Sequence, residues 1–130
     1  MILQTTLALA AAAAIINLWL SIRIGRVRMA EKIIHGDGGN ALLLHRMRAQ
    51  ANFVENVPLA LILIGTIELS GKGGQWLPIV GAIFMLGRVA HCLGMDSSGP
   101  TKPRSIGALI TMLTLLGLAI IAVLIALGLF

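Results

Sequence analysis

Two long runs without a charged side chain set the strongest limit on what this chain can fold into. Residues 1–22 and residues 106–130 contain no Lys, Arg, Asp or Glu. An α-helix needs about 20 apolar residues to cross the hydrocarbon core of a bilayer, so each run is long enough to span one. With 58% hydrophobic and only 12% charged residues, a soluble domain could not cover its surface with polar groups. The sequence predicts an integral membrane protein.

Loops rich in turn-forming residues divide the chain into four apolar helices. Gly, Pro, Asp, Asn and Ser cluster at 35–40, 70–75 and 96–104, and such clusters end helices. Short connections make consecutive helices antiparallel neighbours. The predicted fold class is all-α, a single-domain four-helix transmembrane bundle with up-down-up-down order. We expect its helices at about residues 1–30, 41–69, 76–95 and 103–130.

The basic residues are unevenly distributed among the loops. Six of the ten lie between Arg23 and Arg48, and the second loop holds Lys72 alone. Because cytoplasmic loops are enriched in Lys and Arg, we expect loops one and three in the cytoplasm and both termini outside, in a bacterial inner membrane. No interleaving of basic and aromatic residues points to a nucleic-acid partner. The spacing of the three His and one Cys predicts no metal site.

The second helix carries a polar stripe inside its apolar sequence. Arg48, Asn52 and Glu55 stand at i, i+4 and i+7, so they share one helix face over roughly 10 Å of rise. Each ionisable group within the membrane costs about 2.5 to 3.5 kcal/mol, so such groups usually face a bundle interior or a wet cavity. The stripe predicts a binding site for a polar ligand. The alternative is a structural pair of Arg48 and Glu55, within one subunit or between two.

A second polar stripe and a helix start are predicted at the same side of the membrane. Arg88 and His91 stand near the end of the third helix, which is antiparallel to the second, so the two stripes can face each other. Arg104 and Ser105 follow Pro103 at the start of the fourth helix, where unpaired backbone N–H groups favour an anion. Two alternatives remain open: Arg88 could pair with Glu55 or extend to the interface, and His91 could bond a backbone carbonyl across helices.

These motifs resemble those of a known family. The run RAQANFVENVP at 48–58 resembles the second-helix signature of the MAPEG family, the membrane-associated proteins of eicosanoid and glutathione metabolism. The run RVAH at 88–91 and the pair Arg104-Ser105 are similar to third- and fourth-helix motifs of its prostaglandin E synthase branch. The resemblance extends over all four helices and their loops.

The resemblance implies a homotrimer that binds glutathione between neighbouring subunits near the cytoplasmic face, with a small lipophilic substrate entering from the lipid bilayer. It also assigns roles to individual residues. Arg104 matches the basic residue that stabilises the thiolate, which is the catalytic role. The remaining positions match groups that bind or lie near the tripeptide, with Ser105 beside Arg104 and with either first-helix arginine eligible: Arg23, Arg26, Arg48, Gln50, Asn52, Glu55, Arg88, His91 and Ser105.

The chemistry of glutathione agrees with this set of residues. Its two carboxylates, its ammonium and its thiol call for several cations, one carboxylate and a group that favours the thiolate. Active family members usually carry a tyrosine at the positions of Asn56 or Met95, whereas this chain has no tyrosine. Any mechanism that needs a tyrosine hydroxyl is therefore excluded. The resemblance implies a membrane-bound glutathione transferase or peroxidase-like protein, which conjugates glutathione to lipophilic electrophiles or reduces lipid hydroperoxides. Alternatives are a non-catalytic lipid-binding or scaffold member and, ranked last, a transporter or channel subunit.

Overall fold

The computed structural model describes residues 1–130 and consists of four helices joined by short loops. Each helix is long and apolar enough to cross a membrane. The predicted fold class, an all-α four-helix transmembrane bundle, is confirmed. The helices are α1 (Gln4–Glu31), α2 (Ala41–Leu69), α3 (Trp76–Gly94) and α4 (Lys102–Ala126).

Three of the four helices have bounds that differ from those that the sequence predicts. The first helix starts at Gln4, not at residue 1, and the third ends one residue early, at Gly94. The fourth begins at Lys102 because the Thr101 hydroxyl accepts the N–H of Arg104 and caps the helix before Pro103. It ends at Ala126, not at residue 130, because Gly128 adopts a positive φ of 71°. The Leu129 N–H then bonds the Leu124 carbonyl at 2.8 Å, which closes the helix in a Schellman motif.

Glycines allow α3 and α4 to approach closely. A Cβ atom at Gly107 would collide with the Gly87 carbonyl oxygen, and it would lie 2.6 Å from the Cβ of His91. At Gly94, a Cβ would collide with the backbone nitrogen of Arg104 and lie 2.6 Å from the Thr101 hydroxyl oxygen. Small residues bring membrane helices together in this way. The first turn of α4 is therefore seated on the last turn of α3, which brings Arg104 next to the end of α3.

A carboxylate of α2 caps the start of α1. Leu3 stands at the N-cap position of α1 and offers no side-chain hydrogen bond. Instead, Glu68 accepts the backbone N–H groups of Thr5 and Thr6, both at 2.8 Å, and the Thr6 hydroxyl at 2.6 Å. These bonds satisfy backbone donors that every helix leaves unpaired at its N-terminus. The contact fixes α1 against α2 at the end of the bundle that carries loop two.

Candidate functional site

A cavity of about 280 Å³ opens at the end of the bundle that carries loops one and three. It forms there because α2 and α4 begin at this end and α3 finishes at it. Its lining is mostly polar, unlike that of the grooves elsewhere on the chain, and it draws on α2, α3, α4 and loop three. The lining residues are Leu44, His45, Arg48, Asn52, His91, Met95, Ser97, Ser98 and Arg104.

The charges around this cavity are all positive. Arg48 is exposed and Arg104 is half-buried, and neither guanidinium has a hydrogen-bond or ion-pair partner within the chain. No carboxylate lines the cavity, and both ion pairs of the chain use Asp96, which points elsewhere. A guanidinium presents several donors in a planar fork that suits carboxylates and other oxyanions. The charges and hydrogen-bond donors of the cavity therefore favour an anion.

Beneath the cavity, Arg88 joins α3 to α2 and α4. It is 1% exposed, donates to the Thr111 hydroxyl at 2.9 Å and donates to the side-chain oxygen of Asn52. The imidazole of His91 lies 3.5 Å from the same guanidinium. The two polar stripes therefore meet, as their antiparallel placement predicts. Arg88 itself does not line the cavity; it fixes the oxygen of the Asn52 amide and leaves the amide NH₂ group free to donate.

Two arginines of α1 lie outside the cavity. Arg23 is buried, forms an ion pair with Asp96 and lies over the ring of Trp19, 4.9 Å from its centroid. Arg26 is exposed and is not among the lining residues. The structure of one chain thus gives Arg23 a structural partner and leaves Arg26 on the surface.

Three further residues of the predicted site also lie away from the cavity. Gln50 faces α1, where its amide donates to the Ser21 hydroxyl at 2.7 Å and to Asn17 at 3.3 Å. Ser105 is exposed on α4. Glu55 is exposed as well and has no hydrogen-bond or ion-pair partner within the chain. The alternative pairings of Glu55 with Arg48 or Arg88 are therefore absent within a single chain, because Arg88 is held by Asn52 and Thr111.

Four residues of the predicted site line the cavity together. Several other lining residues were not indicated by sequence patterns. The four predicted residues are Arg48, Asn52, His91 and Arg104. The added lining residues come from the start of α2 and from loop three: His45, Ser97 and Ser98. The sequence could have indicated these residues, because both segments lie beside helix ends that are predicted to share one side of the membrane. Thr111, which holds Arg88, gave no signal because a threonine inside an apolar helix is ordinary.

Comparison with known proteins places the chain among membrane proteins. Inner membrane protein YecN of Escherichia coli (strain K12) is 31% identical over 81 residues, which is 62% of this chain and 62% of that protein. The protein of the same name from Escherichia coli O6:H1 matches equally. The match thus spans less than two thirds of the length of these curated relatives. Together with the four candidate spans, it supports a multi-pass bacterial inner membrane protein.

The comparison that covers most of the chain is with a family model. The model of the MAPEG family matches residues 6–124, a range that includes nearly all of the four helices and every residue lining the cavity. The chain is a multi-pass membrane protein that belongs to the MAPEG family.

Proposed function

We propose that this protein binds glutathione at the cationic cavity and uses its thiolate on lipophilic substrates at the membrane. The two reactions proposed are conjugation to an electrophile and reduction of a lipid hydroperoxide. The observation that carries the proposal is the pair of guanidiniums, Arg48 and Arg104, which line one cavity without any partner in the chain. We propose the cytoplasmic side for this end of the bundle, because loops one and three hold nearly all the Lys and Arg.

The cavity residues can take distinct roles toward the tripeptide. Arg48 and the free NH₂ group of Asn52 donate to a carboxylate, while Arg104 stands at the N-terminus of α4. A cation and a helix N-terminus both favour a thiolate over a thiol. Since a free thiol with a pKa near ~8.5 is mostly protonated at neutral pH, this environment raises the nucleophilic fraction.

The proposed reactions balance without any further reagent. In conjugation, the thiol proton passes to water, the thiolate forms a carbon–sulfur bond, and the leaving group departs with its electron pair. In peroxide reduction, two glutathione thiols are oxidised to one disulfide, while the hydroperoxide is reduced to an alcohol and water. A lipophilic substrate reaches the thiolate from the bilayer, past Leu44 and Met95 at the cavity wall.

The exposed carboxylate of Glu55 supports assembly into the homotrimer that the family implies. Glu55 lies on the face of α2 that carries Arg48, about 10 Å further along the helix axis. A bare carboxylate within a membrane span is costly unless a partner or ligand covers it. We propose that a neighbouring subunit covers this face and that Glu55 receives the ammonium group of glutathione there, since the cavity of a single chain offers no acid.

A second candidate is a lipid-binding member without catalysis. An apolar groove of about 290 Å³ runs between α3 and α4, lined by residues such as Val80, Ile83 and Leu118. Met95, and not a tyrosine, lies in the cavity wall, so no phenolic hydroxyl is available to the thiolate. This candidate predicts lipid binding without glutathione binding.

Titration of glutathione into the detergent-purified protein separates the candidates. Binding heat and the ultraviolet absorbance of the thiolate are followed together at neutral pH. We expect Arg48→Ala to weaken binding at least about tenfold, the value of one hydrogen bond to a charged group. Arg104→Ala should lower the thiolate signal more than the affinity.

Lys102→Ala is the matched control, because Lys102 is an exposed cation at the same end that does not line the cavity. It should bind as the wild type does. Unchanged affinity in Arg48→Ala would contradict glutathione binding at this cavity. No glutathione binding by the wild type would favour the lipid-binding candidate.

A further inference from the structure

Loop three contributes to the cavity on both sides of a residue that faces away from it. Met95, Ser97 and Ser98 all line the cavity, whereas Asp96 between them does not. The Asp96 carboxylate forms an ion pair with Arg23 of α1, and its second oxygen lies 3.6 Å from Nε of Arg46. Residues that line the cavity thus stand on both sides of Asp96, which anchors the loop to α1 and α2.

The anchor is reinforced by two other contacts. The Asp96 carbonyl oxygen lies 3.2 Å from Nδ1 of His45, which itself lines the cavity. Arg46 donates to the Arg23 carbonyl at 3.1 Å, which joins the two cations that hold Asp96. One aspartate therefore ties loop three to both α1 and α2 at the rim.

No comparable attachment exists in the rest of the loop. Residues 97–100 make no backbone hydrogen bond and no side-chain hydrogen bond within the chain. The next fixed point is Thr101, whose hydroxyl donates to the Gly94 carbonyl at 3.0 Å. The positions of Ser97 and Ser98 consequently depend on the attachment of the residue that precedes them.

We infer that Asp96 is a positioning residue that holds the hydroxyl groups of Ser97 and Ser98 at the cavity rim, where they hydrogen-bond the bound anion. The inference rests on the proposed function for the identity of that anion, which is a carboxylate of glutathione. It also accounts for the two ion pairs of Asp96: this carboxylate neutralises Arg23 and Arg46, whereas Arg48 and Arg104 stay available to the ligand.

Hydrogen exchange tests the anchor without any ligand. In Asp96→Asn, the backbone amides of residues 95 and 96, which bond the carbonyls of His91 and Leu93, should exchange about tenfold faster or more, because the start of the loop loses its attachment, while those of α4 stay unchanged. Asp37→Asn is the matched control, since Asp37 belongs to loop one and its carboxylate accepts only the nearby Gly39 N–H. Unchanged exchange in Asp96→Asn would overturn the inference.

Glutathione titration then tests the hydroxyl groups. Asp96→Asn and the double variant Ser97→Ala/Ser98→Ala should each weaken binding at least about tenfold, the value of one hydrogen bond to a charged group. The triple variant should bind no worse than either, because the anchor acts through the two serines. A merely structural role of Asp96 would give additive losses, and additivity would overturn the inference. The double variant keeps the anchor and alters only exposed side chains, so it should fold.

The outcomes for the two proposals are distinguishable. A wild type that binds no glutathione would contradict the proposed function and, with it, the contact of the serines to this ligand. The exchange measurement would in that case still decide whether Asp96 holds the loop.

Discussion

Glu55 and Glu68 lie on the same helix and have opposite surroundings. Glu68 accepts three hydrogen bonds from the start of α1. Glu55, in the middle of α2, has none and is exposed to whatever surrounds the chain. The presence of an acid in a membrane helix therefore does not by itself identify a functional site. What separates the two is whether the chain supplies the partner.

A carboxylate that the chain satisfies serves stability, whereas one that it leaves bare must be satisfied from outside. For Glu68 the partners are helix donors that would otherwise remain unpaired. For Glu55 we propose that the partner is a ligand or another copy of the chain. Three substitutions test this division.

The largest effect is expected for Glu68→Ala. Removal of the cap should lower the free energy of unfolding by about 2 kcal/mol, because two backbone N–H groups and one hydroxyl lose their acceptor. Thermal unfolding in detergent measures this loss, and glutathione affinity should not change. Glu31→Ala, which removes an exposed carboxylate from the other end of α1, should cost less than about 0.5 kcal/mol. Equal stability of the two variants would contradict the capping role.

Glu55→Gln should show the reverse pattern. We expect about a tenfold loss of glutathione affinity, because the amide keeps the shape of the carboxylate but cannot pair with an ammonium group. The unfolding temperature of the unliganded protein should stay near that of the wild type, apart from any effect on subunit association. Calorimetry and size measurement in detergent separate these effects, with Glu31→Gln as the control. A stability loss as large as that of Glu68→Ala would contradict this assignment, since Glu55 would then stabilise the protein without a ligand.

The smallest effect is expected for Thr6→Val, which removes one of the three hydrogen bonds to Glu68. The loss should be about 0.5 to 1 kcal/mol in unfolding free energy, since both backbone N–H groups still reach the carboxylate. Thr66→Val is the matched control, because its hydroxyl bonds only carbonyls of its own helix, at 2.9 Å and 3.1 Å. If Thr6→Val is as stable as this control, the Thr6 hydroxyl contributes nothing and the two backbone N–H groups account for the whole stabilisation by Glu68.

The fold followed from the sequence because it depends on local patterns. Apolar runs of membrane-spanning length and clusters of turn-forming residues define four helices without any knowledge of their neighbours. The bounds of α2 agree with those predicted, and the other helices differ only near their ends. There, capping by Thr101 and the positive φ of Gly128 decide the final residue.

The candidate site could be predicted from the sequence only in part. Periodicity shows which residues share a helix face, but it does not show which part of that face lies against a neighbouring helix. Arg48, Asn52 and Glu55 share a face of α2, but only the first two reach the cavity. The cap by Glu68 and the anchor at Asp96 join residues far apart in sequence. Such contacts depend on how far each helix is shifted along its neighbours, which short-range patterns do not specify.

The origin of the cap has a consequence for how the protein enters the membrane. During synthesis, residues 4–31 are complete well before residue 68 exists, so the N–H groups of Thr5 and Thr6 at first have no acceptor in the chain. Unpaired backbone donors are excluded from lipid by a cost of several kcal/mol each. We therefore expect the beginning of α1 to stay hydrated until α2 has been made. We expect the two helices to reach their final depth together, as a hairpin closed by Glu68 of the later helix.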